Sequence, residues 1–460
     1  MLTGNLYKSI IIYALPLMAS GFLQLLFNAA DLVVVGKFCG SNLLGAVGAC
    51  GPLNTLVLNF FMGFSIGVSV VVSTGLGEDN WKKVNRAVHT CLPLALVSGV
   101  AVAVLGFIFA KPMLVAMGTP EEILPYSITY LRITFIGMPA SLVYNYASAI
   151  LKANGDTRRP LLYLTVSGVL NVILNVIFVT VFDLNISGVA LATAITTVLS
   201  GFLTVRQLTR LTNCCKLQMK YVRFYKEDCL RIIKIGLPAG LQNSMFSISN
   251  IIIQSAVNSF GTAVMSGSSA AQSINGFQFV LLNGVSQATV NFVGQNYGAQ
   301  NYQRVKQVKR ISQLYVTVTG LVTAAIIVYF RRALLGIYIT DSEAALEAGE
   351  AKILFACTFC FINALYEVTA ASLRGIGSST APAIISIVGI CGVRLLIVYT
   401  IFRIPEYHTL YVLFSTYPAS WTVTLLVGTI VYGSIARKRF AYHDRHMEAF
   451  KKDTFKRSLK

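Results

Sequence analysis

Leu151-Lys152-Ala153-Asn154-Gly155-Asp156-Thr157-Arg158-Arg159-Pro160 returns 222 residues later as Leu373-Arg374-Gly375-Ile376-Gly377-Ser378-Ser379-Thr380-Ala381-Pro382. The shared frame is Leu-Lys/Arg-x-x-Gly-x-Thr/Ser-x-x-Pro. Ile12-Tyr13-Ala14-Leu15-Pro16 pairs with Lys234-Ile235-Gly236-Leu237-Pro238 at the same offset of 222. Gly77-Glu78-Asp79-Asn80-Trp81-Lys82-Lys83-Val84 pairs with Gly298-Ala299-Gln300-Asn301-Tyr302-Gln303-Arg304-Val305 at 221. Three matches in one order at an almost constant spacing make the chain two copies of one half.

What lies between the matches is apolar. Of 460 residues, 55% are hydrophobic and 12% charged, the latter about half the ~25% of soluble chains. The mean hydropathy is +0.68, which excludes a soluble enzyme of several domains. Runs such as Ile10–Gly36 and Leu161–Phe182 exceed the ~18–20 apolar residues that cross a bilayer. The pattern predicts an all-α membrane protein of about twelve transmembrane helices. They lie near 10–36, 43–76, 87–110, 123–151, 160–182 and 188–205, then 232–258, 263–297, 311–330, 346–373, 382–402 and 408–435. The second and eighth are overlong, so they extend past the hydrocarbon or bend at their glycines.

The net charge of +19 is explained by where the basic residues fall. Of the 37 Lys and Arg, 29 lie in the N-terminus, the even-to-odd loops and the C-terminal tail. Only Lys37, Lys111, Arg331, Arg332, Lys352 and Arg403 lie on the opposite side, with Arg132 and Arg394 inside spans. Such a split is the positive-inside signature of a multi-pass protein of the cell membrane with both termini cytoplasmic. It removes the need for a nucleic-acid partner, although the tail can touch anionic lipid. The first apolar stretch is too long for a cleavable signal and carries Pro16 and Asp31. The nine cysteines give no disulfide framework, and Cys357-x-x-Cys360 sits in an apolar helix without redox context. His443 and His446 lack further metal ligands. No Gly-Lys-Ser/Thr loop and no His-Glu-x-x-His occurs, and Gly63-x-Ser65-x-Gly67 lies inside an apolar span rather than at a strand-to-helix elbow, so neither ATP use nor an intramembrane enzyme is expected, and no cofactor.

Six spans return the chain to its starting side, so the halves are parallel repeats about an axis along the membrane normal, with a natural transport path between them. The expected organisation is an N-terminal lobe over 1–210, a cytoplasmic linker over 211–231, a C-terminal lobe over 232–436 and a basic cytoplasmic tail over 437–460. The basic stretch Arg206–Lys234 that joins the lobes is read as partly helical on the membrane surface, and long enough for them to move as bodies.

An ionisable residue within a span is a functional candidate because its burial in lipid is costly. Asp31 lies in the outer third of the first span, and Gln24 and Asn28 share its face at i, i+4 and i+7. Asn175 lies about seven residues, or ~10 Å, inside the outer end of the fifth span, with Asn171 one turn deeper on the same face. Thr193 is at similar depth in the sixth. One carboxylate, two amides and a hydroxyl suit a hard monovalent cation such as sodium, and Asp31 alone suits a proton. The second half does not repeat the carboxylate, since Asp31 maps onto Ile253. It carries Glu367 and Arg394, expected to form a buried ion pair. Polar stripes at Asn243, Ser247, Asn250 and Gln254, and at Asn283, Gln287 and Asn291, are candidates for a substrate cavity, as are Gln24 and Asn28. Arg132 is expected to snorkel to the outer interface.

With these residues in view, the chain resembles the multidrug and toxic compound extrusion (MATE) family up to about Arg437. The resemblance rests on the two Leu-Lys/Arg-x-x-Gly loops and on Asn28-Ala29-Ala30-Asp31 followed by Gly36. It also rests on Asn171-Val172-Ile173-Leu174-Asn175 and on Gly188-Val189-Ala190-Leu191-Ala192-Thr193. It implies a V-shaped pair of six-helix bundles that alternates access, exporting amphipathic, often cationic compounds against sodium or proton entry. Asp31, Asn171, Asn175 and Thr193 match that family's cation site. Relatives often carry Asp where this chain has Asn175, which leaves sodium and proton both open. The resemblance gives no cofactor and a monomer. An alternative is a flippase of lipid-linked precursors on the same architecture, although its cavity usually carries more cationic residues than Arg132 and Arg394. The topology is checked by an impermeant maleimide on intact cells. Ser458→Cys is expected to add no labelling over the parent chain, and efficient labelling would overturn the assignment.

Overall fold

The computed structural model describes residues 1–339 and 342–458, with side chains placed except at 41–42 and 442–458. Most side chains of the expected tail at 437–460 therefore lie outside the described residues, His443 and His446 among them. The first six long helices are α1 (Leu6–Phe38), α2 (Ser41–Gly77), α3 (Trp81–Ala116), α4 (Leu124–Ala153), α5 (Arg158–Thr180) and α6 (Asn185–Arg210). After a single 3₁₀ turn at Met219–Tyr221 come α7 (Lys226–Asn258), α8 (Thr262–Gly298) and α9 (Tyr302–Tyr329). The remainder is α10 (Arg331–Gly336), α11 (Glu343–Lys352), α12 (Cys360–Gly375), α13 (Thr380–Ser386), α14 (Val393–Tyr399) and α15 (Leu410–Ser458). π-helical turns at Ile353–Cys357 and Ile387–Gly392 join α11 to α12 and α13 to α14 into continuous spans.

Helices are the open-ended solution in hydrocarbon because each satisfies its own backbone. Among the described residues, nine helices are long and apolar enough to cross a membrane. α4, α7 and α8 are as long, at 30, 33 and 37 residues, but more polar. With them the chain has the expected twelve. α2 and α8 each run 37 residues, about 55 Å at 1.5 Å per residue, well beyond a ~30 Å hydrocarbon layer.

The repeated motifs are helix terminators. Asp156 N–H donates to the Leu151 carbonyl at 2.9 Å and Gly155 N–H to that of Lys152 at 2.9 Å. Ser378 and Gly377 do the same to Leu373 and Arg374, each at 2.8 Å. This is a Schellman cap, which needs a left-handed residue; Gly155 has φ +95° and Gly377 φ +80°. The conserved frame extends inward: Tyr144 and Tyr366 donate their hydroxyls to the carbonyls of Pro160 and Pro382 at 3.3 and 2.7 Å. In the other repeated motif, Asn80 and Asn301 each cap a helix, their side chains accepting from Lys83 N–H and Arg304 N–H at 3.0 Å.

The chain divides into two compact units. One comprises residues 8–76 and 80–251, the other 1–7, 77–79 and 252–460. The division falls within α7 because the first part of that helix packs on α2. A side chain added at Gly63 would strike the backbone of Gly240 and Ala239, and one at Gly67 the Ile232 carbonyl. The segment before α7 also packs on the first unit. Gln218 N–H donates to Nε2 of the buried His89 at 3.0 Å, and Arg86 pairs with Asp228 and Glu227 at 2.8 and 3.0 Å. Cys215 and Leu217 join the buried cluster of α3 and α4. The stretch Arg206–Lys234 is partly helical as expected, through the end of α6, the 3₁₀ turn and the start of α7, and the irregular part between docks on the first unit because its apolar and capping groups find partners on α3. In the second unit, Arg304 gathers the carbonyls of Thr3 and Gly4, both at 3.0 Å, so the first residues are pinned to α9.

The Gly63–Gly240 approach gives a direct check. Gly63→Ala forces backbone apart and is expected to cost about 1–3 kcal/mol, read as a lower melting temperature in detergent. Gly48→Ala, also in α2 but with nothing within 4 Å of the added carbon, is expected to leave it unchanged.

Candidate functional site

α1 and α5 approach closely where Gly168 receives the ring of Phe27. One turn farther out, that approach brings Asp31 against Asn171 and Asn175. Asn175, fully buried, donates from Nδ2 to Asp31 Oδ1 at 2.5 Å and to Asn171 Oδ1 at 3.3 Å. Asn171 Nδ2 donates to Thr193 Oγ1 on α6 at 3.2 Å. With its amide turned over, Asn171 instead donates to Asp31 Oδ1 at 2.8 Å and accepts from Thr193 Oγ1 at 3.2 Å. The turned amide gives the carboxylate two donors and is the better-satisfied arrangement. The structure thus brings all four predicted cation-site residues into one hydrogen-bonded group. Their common depth could be counted from the sequence, but their shared azimuth depends on the Gly168–Phe27 contact.

The group is sealed on its outer side by Val34, Val35, Val179, Ile186 and Val189, which pack as one buried cluster with Ala46 and Val47. Tyr130 of α4 packs on that cluster and lies within Coulombic reach of Asp31. Sequence reasoning missed it, since a tyrosine on a half-buried helix carries no signal of its own. The buried Asn175 Oδ1 has no hydrogen-bond partner among the described residues. A carboxylate beside an unused amide oxygen is a donor set that fits a small hard cation, with Asn171 and Thr193 supplying further oxygens. Protonated, Asp31 needs no ion, and the same amides can hold it.

The cavity candidates fall in both units. In the first, Gln24 and Asn28 are exposed and Asn250 is half-buried. In the second, Gln254 donates to Asn258 Oδ1 at 3.1 Å, while Gln287 is half-buried. Asn283 lines a pocket with Phe279, Ser286, Cys360, Asn363 and Glu367.

The expected Glu367–Arg394 pair does not form. Glu367 pairs with Arg374 at 3.6 Å, two turns along the same helix α12. Arg394 is 1% exposed, donates from Nε to Ser420 Oγ at 3.2 Å and lies over the Tyr417 ring at 4.6 Å, both on α15. Delocalised guanidinium over an aromatic face is a favourable burial. The sequence had placed Arg374 in a loop, which hid its i, i+7 relation to Glu367. Lys352, read as an outer-side residue, is buried within a span. Arg132 donates to the Phe107 carbonyl at 3.2 Å and lies over its ring.

Comparison with known proteins follows the same frame. The MatE family model matches residues 16–177 and 238–400, one copy in each half. A probable multidrug resistance protein of Bacillus subtilis, YoeA, is 28% identical over 93% of each chain. The multidrug export protein MepA of Staphylococcus saprophyticus is 21% identical over 74% of this chain and 75% of its own. Among solved structures, an outward-facing multidrug resistance MATE family transporter of the MOP superfamily superposes with a TM-score of 0.87. It is 21% identical and covers 95% of this chain and 97% of its own.

The reassigned ion pair is tested by double-mutant cycles read from melting. Glu367→Gln and Arg374→Met are expected to couple by about 0.5–3 kcal/mol, whereas Glu367→Gln and Arg394→Met add to within ~0.5 kcal/mol.

Proposed function

The chain belongs to the MatE family, and from that premise we propose that it is a cation-coupled antiporter exporting amphipathic, often cationic drugs or metabolites by alternating access. The reading is of a monomer in the cell membrane, without cofactor, both termini cytoplasmic, with lobes at 1–210 and 232–436. The observation that carries it is the hydrogen-bonded group of Asp31, Asn175, Asn171 and Thr193.

An ionised carboxylate within a span is costly unless charge or hydrogen bonds compensate it. Asn175 and Asn171 donate to Asp31 while it is ionised. When a proton arrives, the carboxyl becomes a donor as well, and either amide can turn to offer its oxygen. When sodium arrives, Asp31, the free Asn175 oxygen, Asn171 and Thr193 would hold it. In each case the charge of the site is cancelled, and the α1–α5–α6 contact changes from donors on a carboxylate to oxygens on a cation. Exchange between these states and a cationic substrate is what antiport requires. With one carboxylate, the site takes about one monovalent cation per cycle, with less sodium preference than a two-carboxylate site would have.

Fluorescent-cation efflux from proteoliposomes under an imposed sodium gradient and, separately, a proton gradient tests the reading. Asp31→Asn keeps shape and some hydrogen bonding, so folding is expected to persist while gradient-driven efflux falls to the rate without a gradient. Efflux at the wild-type level in that variant would move the coupling role away from Asp31.

A further inference from the structure

Lys352 ends α11 within the tenth span, and it is 2% exposed. Its ammonium donates to the carbonyl and hydroxyl of Ser268 on α8, at 3.1 and 3.0 Å. Among the described residues no carboxylate meets it. Glu350 faces Arg331 and Arg332, Glu343 pairs with Arg332, and Glu347 is exposed. α8 carries no Asp, Glu, Lys, Arg or His, and the outer half of α9 offers only Tyr329. On α15, Tyr411 packs on Phe355 and Tyr417 faces Arg394. The ionisable group within Coulombic reach of Lys352 is the thiol of the buried Cys357.

The repeat gives this lysine a setting. α2 and α8 run in step at the offset of 221, Ser41–Gly77 against Thr262–Gly298, so Ser268 corresponds to Val47 in the outer half of α2. In the first unit α4 meets that part of α2 where Ser127 donates to the Ala46 carbonyl at 3.2 Å, and in the second α11 meets α8 where Lys352 donates to that of Ser268. The positions matching Asp31, Asn171 and Asn175 at 222 are Ile253, Val393 and Ile397. The second unit has lost the acid and its amides and carries a base instead.

Two features suit that base to changing state. The Ser268 hydroxyl accepts from an ammonium and donates to a neutral amine, so the contact survives either form, which a carboxylate partner would not allow. The residue after Lys352 opens the π turn, where Thr358 N–H reaches back to Ile353 at 3.4 Å and Gln278 takes the Cys357 carbonyl at 3.1 Å. Such turns inside helices concentrate at functional sites, because register can shift there.

We propose that Lys352 is a proton-exchanging group of the second unit, protonated and deprotonated within each transport cycle. The inference rests on the antiport reading and adds a second coupling residue to Asp31. Hydronium in the water on one side gives its proton to the amine lone pair, leaving water and the ammonium. On release the proton returns to water on the other side, and the amine accepts from Ser268 Oγ–H. A buried group already filled by Ser268 exchanges the smallest species, a proton.

The test compares wild type with Lys352→Met in detergent between about pH 6 and about pH 9, a range in which free lysine stays charged. The gap in melting temperature is expected to change by about 2 °C or more across the range. A constant gap would mean a permanently charged, structural lysine and would overturn the proposal. In proteoliposomes the ratio of variant to wild-type efflux is expected to vary with pH, and a flat ratio would remove Lys352 from the cycle. Should Lys352→Met not fold, Lys352→Arg, which stays charged across the range, carries both comparisons with the same expected and overturning outcomes. Wild-type efflux indifferent to both imposed gradients overturns the antiport reading and the place of Lys352 in a cycle. The melting comparison then still decides whether the lysine exchanges a proton at all.

Discussion

Within hydrocarbon no water completes an unmet hydrogen bond, and a buried polar group left alone costs roughly 2–7 kcal/mol. That constraint organises this chain at every level. It makes the spans helical. It places left-handed glycines at 155 and 377 and asparagine caps at 80 and 301, where backbone groups at helix ends need partners. It also has the half-buried Asp31 held by Asn175.

The same constraint explains why the two halves agree at their loops and differ in their cores. A helix end presents the same unsatisfied groups whatever surrounds it, so the Schellman cap and the tyrosine-to-proline bond recur almost unchanged. A side chain in mid-span answers only to its neighbours. Asp31 can become Ile253 if Asn171 and Asn175 become Val393 and Ile397 together, because the polar group is then removed as a whole. Lys352 is held for the same reason by the carbonyl and hydroxyl of Ser268.

The π turns and the docked segment before α7 have no periodic signature. The apolar pattern across Glu343–Gly375 reads as one helix, whereas at the one-residue expansion over Ile353–Cys357 Gln278 of α8 donates to the Cys357 carbonyl. The segment around Gln218 looks like a polar tether until His89, a lone histidine in an apolar helix, turns out to receive its backbone N–H. Neither partner can be named from one strand of text, since each lies far along the chain.

By itself the sequence determined the twelve spans, the repeat and the depth of the polar residues on α1, α5 and α6, because depth along a helix is linear in residue number. That brought Asp31, Asn171, Asn175 and Thr193 to one level. Tertiary structure alone decided which groups at one level meet, because that depends on how each helix is turned about its axis. Small contacts set that turn, such as Gly168 against Phe27 and Gly63 against Gly240. Arg394 therefore meets Tyr417 of α15 rather than Glu367, which pairs with Arg374 two turns along its own helix. A charge in a low-dielectric interior takes the partner that packing brings within reach.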